Sequence, residues 1–204
     1  HVYMYTSYTC THTQTPRTNM SKIGIDLGDT FGRVACDHQV LADSTGSRAT
    51  MNCVLLTRND DAIVGRAADV LSRKTKETLR HGSDYMRSPL STENKDYVEV
   101  FLKEMIRTAS TSGENIEGIA LGVPAFRYLG DAEYASDLVS VLKTRLKMDH
   151  VQVYPSECLA CVSLEMDDEN FSEDVTVISL DGSSLRTAEI RVRFSLSLFF
   201  FFFF

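Results

Sequence analysis

Short stretches of alternating apolar and polar residues follow residue 20, and they indicate β-structure in the first third of the chain. Residues 22–27 (KIGIDL) predict a strand, and residues 31–37 predict the strand that returns from it in a hairpin. Residues 51–57 (MNCVLLT) and 62–64 predict two further short strands. Asp43-Ser44-Thr45-Gly46-Ser47 between them has the composition of a loop.

Apolar residues at helical spacing predict a series of helices after this region. Residues 97–109 form the clearest amphipathic pattern, and residues 65–79 and 129–148 predict two others. Residues 156–166 predict a short helix that begins at Ser156, whereas residues 81–91 have no regular pattern.

Between and after these helices lie apolar runs that predict strands. Residues 116–123 and 175–180 have the composition of strands covered on both faces, and residues 151–154 predict a shorter strand. A turn at residues 181–184 leads into a last alternating stretch, residues 185–192. Hairpins first and β-α-β units afterwards predict an α/β fold, a mixed β-sheet with flanking helices.

The two ends of the chain differ in composition from the rest. Six of residues 1–19 are Thr and none is acidic, and this stretch lacks the charged start and apolar centre of a signal peptide. Residues 194–204 (FSLSLFFFFFF) contain only residues with all-pyrimidine codons, and six consecutive Phe cannot pattern one face of a strand or helix. We therefore expect one domain, residues 20–193, between a leader without a fold and a spurious apolar tail.

Charge and cysteine content narrow the function classes. The net charge of −7 argues against a nucleic-acid or membrane-surface binder, because both need a basic face. No apolar run is long enough for a transmembrane helix. Five cysteines in 204 residues do not make a disulfide scaffold, so we expect a reducing compartment, the cytoplasm.

Two turns between strands contain the residues best suited to bind phosphate. The first is Gly28-Asp29-Thr30 and the second is Asp181-Gly182-Ser183-Ser184. Small residues in a tight turn can direct backbone N–H groups and hydroxyls towards phosphate oxygens. Asp26 ends the first strand, where a carboxylate can hold Mg²⁺ through water.

Residues 23–31 (IGIDLGDTF) resemble the first phosphate-binding hairpin of the heat-shock-70 (DnaK-type) chaperones, I-G-I-D-L-G-T-T-x. Four further segments resemble family motifs in the family's order: residues 46–50 (GSRAT, G-x-R-x-T), 64–68 (VGRAA, I/V-G-x-A-A), 122–126 (GVPAF, T-V-P-A-Y) and 156–160 (SECLA, N-E-P-T/S-A). Residues 175–184 lie where the second hairpin, D-L-G-G-G-T, belongs.

The resemblance implies the first lobe of an actin-like nucleotide-binding domain, of ribonuclease-H-like topology, with ATP and Mg²⁺ as ligands. It implies that Gly28, Asp29 and Thr30 contact phosphates from one side, and that Gly182, Ser183 and Ser184 contact them from the other. By the same resemblance Asp26 organises Mg²⁺ and Glu157 is the catalytic acid or base. The implied partners are unfolded or nascent polypeptides and J-domain co-chaperones, with no nucleic acid and no membrane.

Several positions depart from the family pattern. Asp29 replaces Thr, and its carboxylate repels a polyphosphate unless a cation intervenes. No Lys lies between Lys76 and Lys95, where the family has its catalytic Lys. In the second hairpin a gapless alignment places Ser179 at the Mg²⁺-linked Asp, and another register places Asp181 there. We therefore expect weak or absent ATP hydrolysis, as in atypical members that include those of the ribosome-associated chaperone complex.

Two other functions remain compatible with the sequence. The chain can be an interaction module, without nucleotide, on a degenerate ATPase lobe. It can also be another actin-fold kinase, which needs a substrate-binding acid and a second lobe. The compatibility of Asp29 and Ser179 with Mg-ATP discriminates among these functions.

Overall fold

The computed structural model describes most of the predicted domain, namely residues 20–37, 39–57, 61–110, 115–157, 172–181 and 184–193. The predicted leader, residues 1–19, and the predicted tail, residues 194–204, lie outside them, as does most of the helix predicted over residues 156–166. None of the described helices is both long and apolar enough to cross a membrane.

A mixed β-sheet forms the centre of the fold. β1 (Met20–Leu27) and β2 (Phe31–Cys36) form the predicted antiparallel hairpin. The sheet has the order β3-β2-β1-β8-β9, and the bounds of its other strands are β3 (Gln39–Val40), β8 (Asn115–Val123) and β9 (His150–Pro155). β8 runs parallel to β1, and β9 runs parallel to β8.

An antiparallel meander is followed by strands parallel to its first member, and helices pack against this sheet. The α/β fold class, a mixed sheet with flanking helices, is therefore confirmed.

Alternation along the strands explains how the sheet covers its core. Ile23, Ile25 and Leu27 of β1 are buried, and the residues between them are partly exposed. The amphipathic helix predicted over residues 97–109 is α3 (Lys95–Ser110), whose apolar side faces this core. α3 comes so close to β2 that a Cβ on Gly32 would lie 2.9 Å from the Phe101 ring. A glycine is therefore required at this contact.

The strand predicted over residues 51–57 is in fact two strands. β4 (Thr50–Met51) pairs with β2 of the main sheet, whereas β5 (Cys53–Leu56) is the middle strand of a second sheet. Its neighbours are β6 (Ala62–Val64) and β7 (Arg80–His81). Asn52 separates β4 from β5, because its backbone and side chain bond to the β1–β2 turn and to neighbouring segments instead of extending a ladder.

Helix boundaries differ from the predictions in three places. The helix predicted over residues 65–79 is shorter, α1 (Arg66–Thr75), and ends at Lys76 in the left-handed conformation. Residues 81–91, predicted to be irregular, contain β7 and the short helix α2 (Gly82–Tyr85). Residues 129–148 are not one helix: α4 (Ala125–Gly130) stops before Asp131, and α5 (Tyr134–Ser140) continues into a π-helical turn, Val141–Arg145.

The last described elements are the two strands of a hairpin. β10 (Ser172–Asp181) pairs antiparallel with β11 (Ser184–Arg193), and the innermost pair is Asp181 with Ser184. These strands correspond to residues 175–180 and 185–192 of the sequence prediction and are longer than predicted. Gly182 and Ser183, between these strands in the sequence, lie outside the described residues.

Candidate functional site

Polar groups from three neighbouring strands meet at one edge of the main sheet. β1, β8 and β9 are parallel, so their carboxyl ends lie together, and each is followed by residues of the proposed site. Asp26 accepts a hydrogen bond from the Ser156 hydroxyl after β9, at 3.0 Å. Glu157 accepts one from the Ala125 amide after β8, at 2.8 Å. In open α/β sheets, ligands bind outside the carboxyl ends of strands.

The β1–β2 turn is held in one shape by a buried asparagine. Asn52 is 1% exposed, and its side-chain amide donates to the Gly28 carbonyl at 2.7 Å. Its backbone amide donates to the Thr30 carbonyl at 2.7 Å. Its side-chain oxygen accepts a hydrogen bond from the hydroxyl of Tyr85, which is itself fully buried. The turn is therefore fixed by the body of the lobe before any ligand arrives.

Backbone packing against the turn is also close. The Gly82 amide donates to the Asn52 carbonyl at 2.8 Å. A Cβ on Gly82 would collide with the Asn52 side chain and would lie 2.6 Å from the Asp29 carbonyl oxygen. A glycine at the start of α2 is thus needed for this segment to lie beside the β1–β2 turn.

The residues predicted to contact phosphate differ in whether their N–H and O–H groups already donate hydrogen bonds within the protein. The Gly28 amide already bonds to the Phe31 carbonyl at 3.0 Å, so Gly28 shapes the turn. Thr30 donates no hydrogen bond to any other described residue, from its amide or from its hydroxyl. Both groups of Thr30 are therefore suited to bind a phosphate oxygen.

Asp29 forms a buried ion pair with Arg127. Nη2 and Nε of Arg127 both donate to Asp29 Oδ1, at 2.7 and 3.1 Å, and the side chains are 8% and 10% exposed for Arg127 and Asp29. The Arg127 guanidinium also lies 5.2 Å from the centre of the Phe126 ring and 6.0 Å from that of Tyr134. Arg127 therefore places a positive charge directly beside the Asp29 carboxylate.

The buried Tyr134 lies beside this pair, with its ring centre 6.0 Å from the Arg127 guanidinium. Burial raises the pKa of the Tyr134 phenol well above its ordinary value; the positive charge of Arg127 opposes that rise and the negative charge of Asp29 adds to it. The phenol is therefore neutral at physiological pH, and it lies beside the guanidinium as a buried, uncharged group.

Asp26 is the most accessible carboxylate at this edge, with a side chain 48% exposed. Its Oδ2 accepts a hydrogen bond from Arg33 at 3.3 Å, and its Oδ1 accepts the one from Ser156. Mg²⁺ commonly binds through one or two carboxylates together with substrate phosphates and water. One half-exposed carboxylate fits that mode, and within the described ranges no group of three His, Cys, Asp or Glu side chains fits a metal held by protein alone.

Glu157 lies deeper than a solvated helix-end residue. It is 6% exposed, and its hydrogen bond to the Ala125 amide ties the end of β9 to the start of α4. This contact uses one carboxylate oxygen, Oε2, and an ionised carboxylate has further lone pairs on the other. Glu157 can therefore hold the end of β9 against the start of α4 with one carboxylate oxygen and orient a water molecule with the other.

For the second predicted phosphate hairpin, the structure describes the backbone of its two strands, β10 and β11. Gly182 and Ser183 lie outside the described residues, and Ser184 is described as the first residue of β11. Their predicted contacts with phosphate stay predictions.

Arg80 lies near the sequence position at which the family has its lysine, but its side chain is bonded elsewhere. Arg80 donates to Glu93 at 2.7 Å and to Asn94 at 3.0 Å, and its guanidinium lies 5.4 Å from the centre of the Tyr97 ring. The hydrogen bond to Glu93 raises the pKa of Arg80. Arg80 thus links β7 to the start of α3 through these contacts.

Sequence reasoning missed Asn52 and Arg127. Asn52 interrupts an apolar strand pattern (MNCVLLT), which is a signal for a buried polar residue with dedicated partners. Arg127 follows the V-P-A-F segment, and no local pattern links it to Asp29, 98 residues earlier.

No protein-family model matches the sequence. Among solved structures, a non-polymerising mutant of MamK bound to AMPPNP is similar, with a TM-score of 0.45 and 17% sequence identity. The match covers 66% of this chain and 40% of that chain, so the chain spans less than half of that structure. A similarity at this level assigns no family.

Proposed function

We propose that the lobe binds the phosphates of ATP at the carboxyl ends of β1, β8 and β9, and hydrolyses it slowly or not at all. The observation that carries the proposal is the convergence of Asp26, Asp29 and Glu157, through their contacts with Ser156, Arg127 and the Ala125 amide, on one edge of the sheet. The β1–β2 turn has the residues of a phosphate hairpin and is held rigid by Asn52.

Slow turnover is expected from the groups at this edge. Arg80, which lies near the family's lysine position in sequence, is bonded to Glu93 and Asn94. Asp29 adds a negative charge at the turn, and Arg127 neutralises it without adding a net positive charge. Among the described residues, the site therefore lacks the excess of cationic groups that stabilises a transferring phosphoryl group.

The heat-shock-70 resemblance extends this proposal to a cellular role. We place the chain as the first lobe of a divergent chaperone or co-chaperone of that family, acting in the cytoplasm on unfolded or nascent polypeptides, with a J-domain protein as partner and association with the ribosome. A lobe that holds nucleotide without rapid turnover suits a partner that regulates another chaperone.

Calorimetric titration of the full-length protein with ATP and Mg²⁺ tests the binding part of the proposal. Saturable binding is expected, with single-turnover hydrolysis much slower than nucleotide release. Thr30→Val removes a hydroxyl without changing side-chain shape, and it should weaken binding roughly tenfold, the value of a hydrogen bond to a charged group. Thr92→Val, at an exposed position outside the site, is the matched control and should bind as the parent does.

A second candidate is an interaction module on a lobe without nucleotide. The Asp29–Arg127 pair favours it, because the pair satisfies the turn electrostatically with no ligand. Absence of ATP and ADP binding by a folded full-length protein, together with retained binding to an unfolded polypeptide, would select this candidate.

A further inference from the structure

The Asp29–Arg127 pair has a geometry that bears on ligand binding. Nε and Nη2 form one edge of the guanidinium, and both donate to the same carboxylate oxygen, Oδ1 of Asp29. This edge is the part of an arginine that binds planar carboxylates and phosphates with two parallel hydrogen bonds. In the structure Asp29 therefore occupies the anion-binding edge of Arg127.

The position of the pair makes that edge relevant to phosphate. Asp29 belongs to the turn between β1 and β2, next to Thr30, whose amide and hydroxyl donate to no other described residue. Arg127 approaches from α4, which follows the carboxyl end of β8. Within the described part of the chain Asp29 is the one carboxylate in an ion pair with Arg127.

We propose that Asp29 is an internal competitor for phosphate at Arg127. In the nucleotide-free lobe the carboxylate holds the guanidinium edge, and on binding, the terminal phosphate group of a nucleotide takes that edge. This inference rests on the proposed nucleotide binding and adds its regulation: the ion pair sets the threshold for binding. A terminal phosphate displaces a carboxylate because it carries close to two negative charges at neutral pH, against one.

The exchange has an electrostatic consequence for Mg²⁺. Once displaced, Asp29 is a buried carboxylate beside a polyphosphate, and both are negative. Loss of the Arg127 ion pair next to this second negative charge is strongly destabilising, so a cation is expected to take the place of Arg127 beside Asp29. Nucleotide binding is therefore expected to depend steeply on Mg²⁺, and that dependence is expected to arise from Asp29.

Titration of the full-length protein with ADP, in Mg²⁺ and in EDTA, tests this inference. Asp29→Asn keeps the shape of the side chain and removes its charge. It should raise the affinity for ADP in EDTA at least tenfold and nearly abolish the difference between EDTA and Mg²⁺. Adding Arg127→Met to Asp29→Asn should reverse the gain, because the guanidinium is then absent.

A second variant covers loss of folding in Asp29→Asn, which leaves Arg127 buried without its carboxylate. Arg127→Lys keeps the positive charge but not the two-donor edge, so it should fold and bind ADP more weakly than the parent in Mg²⁺. A thermal melt of each variant in the absence of ADP separates loss of folding from loss of binding.

The outcomes separate this inference from the proposed function. If the parent binds ADP and the affinities of Asp29→Asn and Arg127→Lys equal it, the function stands and the competition is refuted. If the parent does not bind but Asp29→Asn does, the competition is supported in its strongest form. If no folded variant binds ADP or ATP, both the inference and the proposed function are refuted.

Discussion

Replacement of Asn52 by Ala is expected to be the most damaging change at the β1–β2 turn that leaves its charges intact. Asn52 is 1% exposed and links the turn to α2 through its side chain. Removal of the amide takes the donor from the Gly28 carbonyl and the acceptor from the Tyr85 hydroxyl. Tyr85 is fully buried, so water cannot easily replace the lost partner.

The size of the effect follows from these two groups. A buried donor or acceptor left without a partner costs about 1–3 kcal/mol, so two such groups predict a loss of about 2–6 kcal/mol in the free energy of unfolding. For a domain of this size each kcal/mol lowers the melting temperature by about 2–4 °C, so a middle value of about 4 kcal/mol predicts a fall of about 8–16 °C.

Urea unfolding followed by circular dichroism measures the change, with two further variants for comparison. Tyr85→Phe leaves only the Asn52 side-chain oxygen unpaired and should cost about 1–3 kcal/mol. The double variant should cost less than the sum of the single variants, because both single variants break the same hydrogen bond. Gln39→Ala, an exposed amide on β3, should change stability by about 0.5 kcal/mol or less.

A loss below about 1 kcal/mol for Asn52→Ala, smaller than the cost of even one unpaired buried group, would refute this reasoning. It would mean that the turn does not depend on Asn52 for its shape. Strict additivity of Asn52→Ala and Tyr85→Phe would refute the hydrogen bond between them.

Three other predictions concern the surroundings of the site. Gly82→Ala should lower stability by about 1–3 kcal/mol through its collision with Asn52 and the Asp29 carbonyl, whereas Gly130→Ala, with open space at its Cβ, should be neutral or stabilising in the same urea assay. Partial burial raises the pKa of the Asp43 carboxyl, but hydrogen bonds from Thr45, Ser47 and Thr50 outweigh burial, and the net effect lowers this pKa. The Asp43 carboxylate therefore stabilises the fold above its unfolded pKa, and this stabilisation is lost as the pH falls through its folded pKa. Asp43→Ala should therefore destabilise more at pH 7 than at about pH 3; an equal loss at both would contradict this. Burial, aided by the Asp69 charge, raises the pKa of the Cys53 thiol to about 11. Iodoacetamide at about pH 8 should therefore label the Cys53 peptide only after unfolding, as measured by mass spectrometry. Rapid labelling of Cys53 in the native protein would contradict its burial.

Hydrophobic periodicity and turn residues were enough to predict the elements that have a clear local pattern. The hairpin of β1 and β2, the amphipathic α3 and the apolar β8 were all predicted near their observed bounds, because each has a clear period or a bounding turn. One failure occurs where tertiary contacts override the period, since Asn52 breaks a strand by bonding across to Gly28 and Tyr85. Another has a local cause: the Asp131 side chain accepts a hydrogen bond from the Glu133 amide in the turn that separates α4 from α5.

The candidate site divides in the same way. The sequence predicted roles for Asp26, Gly28, Asp29, Thr30 and Glu157 because they lie in short segments that resemble family motifs, and these roles stay predictions. Arg127 was not found, since its role depends on the parallel pairing of β8 with β1, which brings the start of α4 to the β1–β2 turn. Spacing within one segment contains no information about such a contact.

The measurement that tests the central claim most directly is an amide chemical-shift titration of ¹⁵N-labelled full-length protein with ADP and Mg²⁺. The account predicts saturable shifts at the amides of Asp29 and Thr30 and at Ser156 and Glu157, together with the side-chain Nε–H of Arg127. The amides of α1, on the second sheet, should stay unchanged. Saturable shifts confined to α1, or none at any concentration for the folded protein, would contradict a phosphate site at the carboxyl ends of β1, β8 and β9.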